Sequence, residues 1–169
     1  EVPALFDIEA LKSQAVASRT FALYEENTRG YVTTGDQAYS TLEELQSKWQ
    51  ENYYTYLNKI KQAVNLTKNQ VMTFDNQLIK SYFYAMSNGY TTTSLSVFNE
   101  DLPYLNTIMP TMDNENTTKF LVTKKISKSE FCDILNIDCT RLNIKKIIND
   151  YSNRVETISI NEKTFTGIE

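Results

Sequence analysis

The hydrophobic period of the chain changes near Gln70, and that change restricts its architecture more than any other feature. Before it, apolar residues recur at steps of three and four; beyond it, short apolar runs separated by turn residues become common. Helices and strands therefore come in blocks instead of alternating. This predicts an α+β fold, with two principal helices packed on antiparallel hairpins and long loops lining a cleft. The 169 residues suit a single domain with a sizeable core.

Asp7 stands as an N-cap before a run of good helix formers, which predicts a first helix over 8–26. Ile8, Leu11, Ala15 and Ala22 make one stripe and Val16, Thr20 and Leu23 another, so this helix is expected deep in the fold. Its Lys12, Gln14 and Arg19 must then be paired or turned into a cleft. After a loop to residue 40, Ser40 and Glu43 read as a capping box for a second helix carrying Leu42, Leu45, Trp49, Tyr53, Tyr56, Ile60 and Val64. At helical spacing that aromatic run suits core packing, with a sugar-stacking platform as the alternative. Residues 71–74 and 78–84 read as a hairpin around Asp75-Asn76-Gln77. The stretches 87–94 and 103–117 read as long loops of the kind that carry function. Residues 119–123 suggest a short strand, Ser127 with Glu130 a second capping box, and 144–151 with 154–160 another hairpin.

Several chemistries are excluded by composition. There is no histidine, which removes Ser-His-Asp and Cys-His nucleophilic systems and the HExxH zinc site together. Seventeen basic residues against 21 acidic ones leave a net charge of −4, without the positive footprint that phosphate backbones require, so nucleic acid is not an expected partner. Cys132 and Cys139 fit no four-ligand zinc site; two ordinary thiols are the simpler expectation and one local disulfide the alternative. No run approaches the length of a membrane span, so the chain as given is expected to be soluble. It starts at Glu1 without an initiator Met and stops at Gly167-Ile168-Glu169, which suggests a fragment truncated at both ends that has lost an anchor or signal.

Glu1-Val-Pro-Ala followed by Ile8-Glu-Ala-Leu-Lys-Ser-Gln-Ala-Val-Ala-Ser-Arg-Thr-Phe-Ala-Leu23 resembles the signature of the stage II sporulation protein D family of bacterial cell-wall proteins. Ala63-Val-Asn, Gln70-Val-Met-Thr-Phe, Tyr82-Phe-Tyr-Ala-Met-Ser-Asn-Gly-Tyr-Thr91, Leu102-Pro-Tyr-Leu, Val155-Glu-Thr-Ile-Ser-Ile-Asn and Phe165-Thr-Gly167 are similar to its later landmarks, in order. Residues 31–54 and 114–143 carry little of the likeness.

The resemblance implies a lytic transglycosylase that cleaves peptide-free peptidoglycan strands between N-acetylmuramic acid and N-acetylglucosamine, leaving 1,6-anhydro ends, during engulfment in sporulation. It implies an extracytoplasmic, wall-facing location, an N-terminal membrane anchor missing from this chain, and a cell-wall amidase of the stage II sporulation protein P type as partner. Glu1 corresponds to the family's catalytic acid, Lys12, Arg19 and Tyr104 to its substrate-binding cleft residues, and Asp113 to a further Asp that would bind substrate and be the next candidate acid. One carboxyl group suffices for this chemistry: it protonates the leaving oxygen and then takes the proton of the sugar's own C6 hydroxyl, so no cofactor is needed. Arg19 and Lys12 would hold acetamido or lactyl carboxylate groups, although Arg19 also suits a structural pairing with Asp7, Glu9 or a distant carboxylate. Ser87, Asn88 and Gly89 suit either a glycan-lining loop or a plain turn.

Two departures from the family pattern matter. Some relatives carry a zinc-binding Cys and His cluster in the loop after the first helix, whereas Tyr31-Val-Thr-Thr-Gly-Asp-Gln-Ala-Tyr39 has neither residue, so no metal is expected there. Ala85-Met-Ser-Asn-Gly-Tyr90 and Asn106 replace positions that carry His or Lys in many relatives, which lowers the positive charge available to substrate. Amidase enhancers also resemble this domain. A non-catalytic, glycan-binding activator of an amidase is therefore the rival expectation, and a purely structural wall module a third.

Overall fold

A computed structural model describes residues 2–106, 108–113 and 120–167. The chain divides into two compact units, Glu1–Phe83 and Tyr84–Glu169.

In the first unit, α1 (Ile8–Arg29) begins where the Asp7 carboxylate accepts from the Glu9 amide, 2.9 Å away. It runs past the expected end because the last turn closes on Gly30, which adopts φ 81°, a conformation natural to glycine. Leu11, Thr20 and Glu25 are its buried residues and most others are half-buried, so α1 is less deeply set than its two apolar stripes predict. The second helix also departs from expectation. Its capping box is Thr41 with Glu44, one residue beyond Ser40 and Glu43: the Thr41 amide donates to Glu44 Oε2 at 2.8 Å, and the Glu44 amide to Thr41 Oγ1 at 3.2 Å. Nor is the helix continuous. α2 (Leu42–Trp49) ends where Gln50 turns to φ 46°, a 3-10 turn follows over Gln50–Asn52, and α3 (Tyr53–Leu66) resumes.

α1 packs on α3, and the chain after α3 returns along α1. Three α1 residues receive it. The Arg19 guanidinium donates to the carbonyls of Thr67 and Gln70, the Met72 amide donates to Thr20 Oγ1, and Ser81 Oγ donates to the Ala17 carbonyl. The expected hairpin is confined to β1 (Thr73–Phe74) and β2 (Gln77–Leu78), with one further bond from the Ile79 amide to the Met72 carbonyl at 3.4 Å. Asp75 and Asn76, both at positive φ, form its tight turn.

The second unit opens with loops carrying a short helix α4 (Ser94–Phe98) and a 3-10 turn over Pro103–Leu105. They are tied at the bridge between Tyr90 and Pro110, flanked by Thr91 N–H to Met109 O and Thr111 N–H to Gly89 O, each 2.8 Å. Residues 121–127 are irregular where a strand over 119–123 was expected, and Lys119 lies outside the described residues. α5 (Lys128–Leu135) starts at Ser127, whose hydroxyl accepts from the Glu130 amide at 3.1 Å. A disulfide links Cys132 to Cys139, replacing the two free thiols expected. β3 (Ile144–Asn149), β4 (Val155–Ile160) and β5 (Lys163–Thr166) form an antiparallel sheet in that order.

The buried apolar set among the described residues is small: Ala4, Leu11, Tyr53, Ala63, Cys132 and Ile160. Two compact units of about half the chain each expose proportionately more surface than one larger domain, which accounts for the modest core. Small hydroxyl residues are as prominent inside, with Thr20, Thr67, Ser81, Ser87, Ser94 and Ser152 buried. Every buried side-chain nitrogen or oxygen among the described residues has a partner. Hydroxyls that satisfy neighbouring backbone groups do much of the internal joining.

Candidate functional site

The first unit holds a concavity of about 520 Å³. One wall is the segment Val2, Pro3, Ala4 and Leu5; the other comes from α2 and α3, with Trp49 and Tyr56 as its aromatic surface. Lys59 fixes the approach to it, donating from Nζ to the Phe6 carbonyl at 2.5 Å. Trp49 meets Tyr56 edge-on at 5.8 Å between centroids and Tyr53 at 6.3 Å, and Tyr53 is buried beneath. Ring contacts of this kind fix an aromatic side chain in one orientation. The aromatic run thus serves packing through Tyr53 while Trp49 and Tyr56 stay half-buried at a surface hollow. Glu1 lies outside the described residues.

Lys12 and Arg19 stand seven residues apart on α1, which puts them on one face about 10 Å apart along the axis. Their partners differ. Lys12 Nζ is 2.9 Å from both Glu9 carboxylate oxygens. Arg19 meets neither Asp7, Glu9 nor any described carboxylate. Its Nη1 donates to the carbonyls of Thr67 at 2.8 Å and Gln70 at 2.9 Å, and its Nη2 is 3.5 Å from the Val64 carbonyl. A guanidinium against the last carbonyls of α3 acts as a C-terminal cap, favoured by the helix dipole.

In the second unit Ser87, Asn88 and Asp113 come together. Asp113 Oδ2 accepts from the Ser87 amide at 2.9 Å and from Ser87 Oγ at 2.6 Å, and Thr111 Oγ1 is 2.5 Å from Ser87 Oγ. Hydrogen bonds from the Ser87 hydroxyl and then its amide hold the Asp113 carboxyl below the usual aspartate range. These bonds favour the ionised carboxylate of Asp113. Asn88 Nδ2 donates to the Ser152 carbonyl at 2.9 Å, and its Oδ1 accepts from the Tyr90 amide at 3.3 Å. The backbone bends at Asn88 and Gly89, with Gly89 at φ 103°. Tyr104 sits half-buried in the 3-10 turn over Pro103–Leu105. Nearby, Asn106 Nδ2 donates to Asp101 Oδ1 at 2.7 Å.

A further cluster escaped the sequence reading. Asp150 Oδ1 accepts from the Ser152 amide at 2.8 Å, the Ser152 hydroxyl at 2.6 Å and the Arg154 amide at 2.9 Å. Arg154 Nη2 donates to the Tyr90 carbonyl at 3.0 Å. Burial pushes the Asp150 carboxyl up, but the hydrogen bonds from Ser152 and the Arg154 backbone prevail and hold it below the ordinary range. Asp150 and Arg154 border the second unit's own concavity, of about 560 Å³. Neither concavity is lined by Lys12, Arg19, Ser87, Asn88, Tyr104 or Asp113.

Residues 1–74 match the family model described as Stage II sporulation protein. Stage II sporulation protein D of Bacillus subtilis (strain 168) is 33% identical over 179 residues, covering 99% of this chain and 52% of that protein. The chain belongs to the stage II sporulation protein D family. Another member, Stage II sporulation protein D of Bacillus amyloliquefaciens, is 32% identical over 147 residues, covering 81% of this chain and 42% of that protein. The Amidase enhancer of Bacillus subtilis (strain 168) is 31% identical over 105 residues, covering 62% of this chain and 13% of the enhancer. This family member spans about half the length of the sporulation proteins it matches. The family match takes in all of α1 and both helical walls of the aromatic concavity.

Proposed function

We propose that this chain is the glycan-cleaving part of a sporulation lytic transglycosylase. It acts outside the cytoplasmic membrane, on peptidoglycan strands already stripped of stem peptides, and is tethered by a segment preceding Glu1. The observation that carries the proposal is the aromatic concavity, whose wall begins at Val2, the residue after Glu1, and continues to Trp49 and Tyr56. A volume of about 520 Å³ with an apolar, partly aromatic lining suits short oligosaccharides. Glu1 acts as acid, protonating the oxygen between N-acetylmuramic acid and N-acetylglucosamine as the C1–O bond breaks. Its carboxylate then removes the C6 hydroxyl proton while O6 bonds to C1, which gives the 1,6-anhydro end and restores the acid. The Cys132–Cys139 disulfide supports an oxidising, extracytoplasmic setting.

The test is product analysis of peptide-free strands incubated with the intact protein. Anhydro ends identified by mass spectrometry are expected, and Glu1→Gln should lower turnover by about 10²–10⁴-fold with glycan binding retained. Likeness to the Amidase enhancer favours a second reading, a glycan-binding activator of a cell-wall amidase such as the stage II sporulation protein P type. Bound but uncut strands, together with faster release of stem peptides when an amidase is added, would decide for that activator and against the transglycosylase.

A further inference from the structure

We infer that Trp49 and Lys48 form a subsite that selects muramic acid whose lactyl carboxylate is free. The inference rests on the glycan reading above and adds to it the means by which a stripped strand is told from an intact one.

Trp49 is the one tryptophan of the chain. It is braced by Tyr53 and Tyr56 and lines the concavity beside the apolar Leu45 and Ile60. A pyranose ring offers an apolar C–H face and a polar rim, which suits an aromatic wall of this kind. Lys48 lines the same concavity, is exposed, and has no ion-pair partner among the described residues. Lys12 is engaged with Glu9, Arg29 with Glu25 and Asp36, and Arg19 and Lys59 with backbone carbonyls, and none of these four lines the concavity. A lone cation beside a sugar-sized aromatic wall complements a sugar that carries an anion. N-acetylglucosamine carries none. Muramic acid carries one only after hydrolysis of the amide that joins its lactyl group to the stem peptide, so Lys48 discriminates between the strand before and after stripping.

Emission from Trp49 provides the readout in the intact wild-type protein. It is titrated with a muramic-acid tetrasaccharide bearing free lactyl carboxylates and with the same tetrasaccharide bearing lactyl methylamides. The free acid is expected to bind about three- to fivefold tighter, the range open to one solvent-exposed charge pair. Lys48→Gln, a change at an exposed position, should erase that preference and leave the amide's affinity unchanged. Trp49→Ala should weaken both ligands by about tenfold, measured by calorimetry, while Trp49→Phe keeps an aromatic face and most of the affinity. Equal affinity of the wild-type protein for acid and amide, or an undiminished preference in Lys48→Gln, overturns the inference, as does glycan binding that leaves Trp49 emission unmoved. Failure of the transglycosylase reading looks different: the preference and its loss in Lys48→Gln would persist, but no anhydro ends would form.

Discussion

Replacing Arg19 with methionine separates a structural role from a substrate-holding one. In the folded chain Arg19 Nη1 donates to Thr67 O at 2.8 Å and to Gln70 O at 2.9 Å, while Nη2 reaches Val64 O only at 3.5 Å. A hydrogen bond from a charged donor contributes about 1.5–3 kcal/mol, and the long contact adds little. The two short bonds share one nitrogen, and that to Gln70 is exposed, so their losses do not add; Arg19→Met is expected to cost about 3 kcal/mol. That is a large part of the roughly 5–15 kcal/mol holding a typical domain. Arg19→Lys keeps the charge but loses the planar fork, and should cost about half as much. Urea unfolding followed by far-ultraviolet circular dichroism measures both, with an unchanged slope confirming that the native state is the one affected. A shift below about 0.5 kcal/mol for Arg19→Met, accompanied by weaker glycan binding, would refute the capping role and return Arg19 to the substrate.

Replacing Cys132 and Cys139 together with serine should lower stability by about 2 kcal/mol, the loop-entropy value for so short a ring. A thiol reagent should find no reactive cysteine in the native protein and two after reduction. Asp36 accepts from the Thr33 hydroxyl and amide and from Arg29, which holds its pKa at about 2 instead of 3.8. Because the folded value is the lower one, the stabilisation is complete above 3.8 and fades as pH falls from there toward about 2. NMR titration of the Asp36 carboxyl carbon should show that low midpoint, and a midpoint near the ordinary value would mean that the loop is not latched by this aspartate.

Features determined by near neighbours were legible in the sequence. Asp7, Ser127 and the tight turn at Asp75 and Asn76 each act within a few residues, and each stands where its local chemistry predicts. The second helix shows where local rules stop. Ser40 with Glu43 and Thr41 with Glu44 are overlapping versions of one pattern, and spacing cannot choose between them. The break at Gln50 carries no Gly or Pro signal at all. Long-range pairings were beyond reach: Arg19 finds carbonyls about fifty residues away, and Ser87 finds Asp113 across 26. Asp150 is the instructive omission. Its bonds to Ser152 and Arg154 are local, and an Asp followed two residues later by Ser at a hairpin turn is a sufficient cue for an Asx-type turn.

The distribution of cations says more about recognition than the family correspondence of single residues does. A cation already engaged with a carboxylate or a helix end can bind an anionic ligand only by giving up that partner, so its net contribution is the difference between two similar interactions. Lys12 and Arg19 are in that position. A cation facing only water loses less and gains the full, if small, attraction. Lys48, exposed and without an ion-pair partner among the described residues, meets that condition and lines one concavity with the single indole of the chain and the segment Val2–Leu5. Specificity on this argument resides at the end of α2, inside the part of the chain that the family model matches.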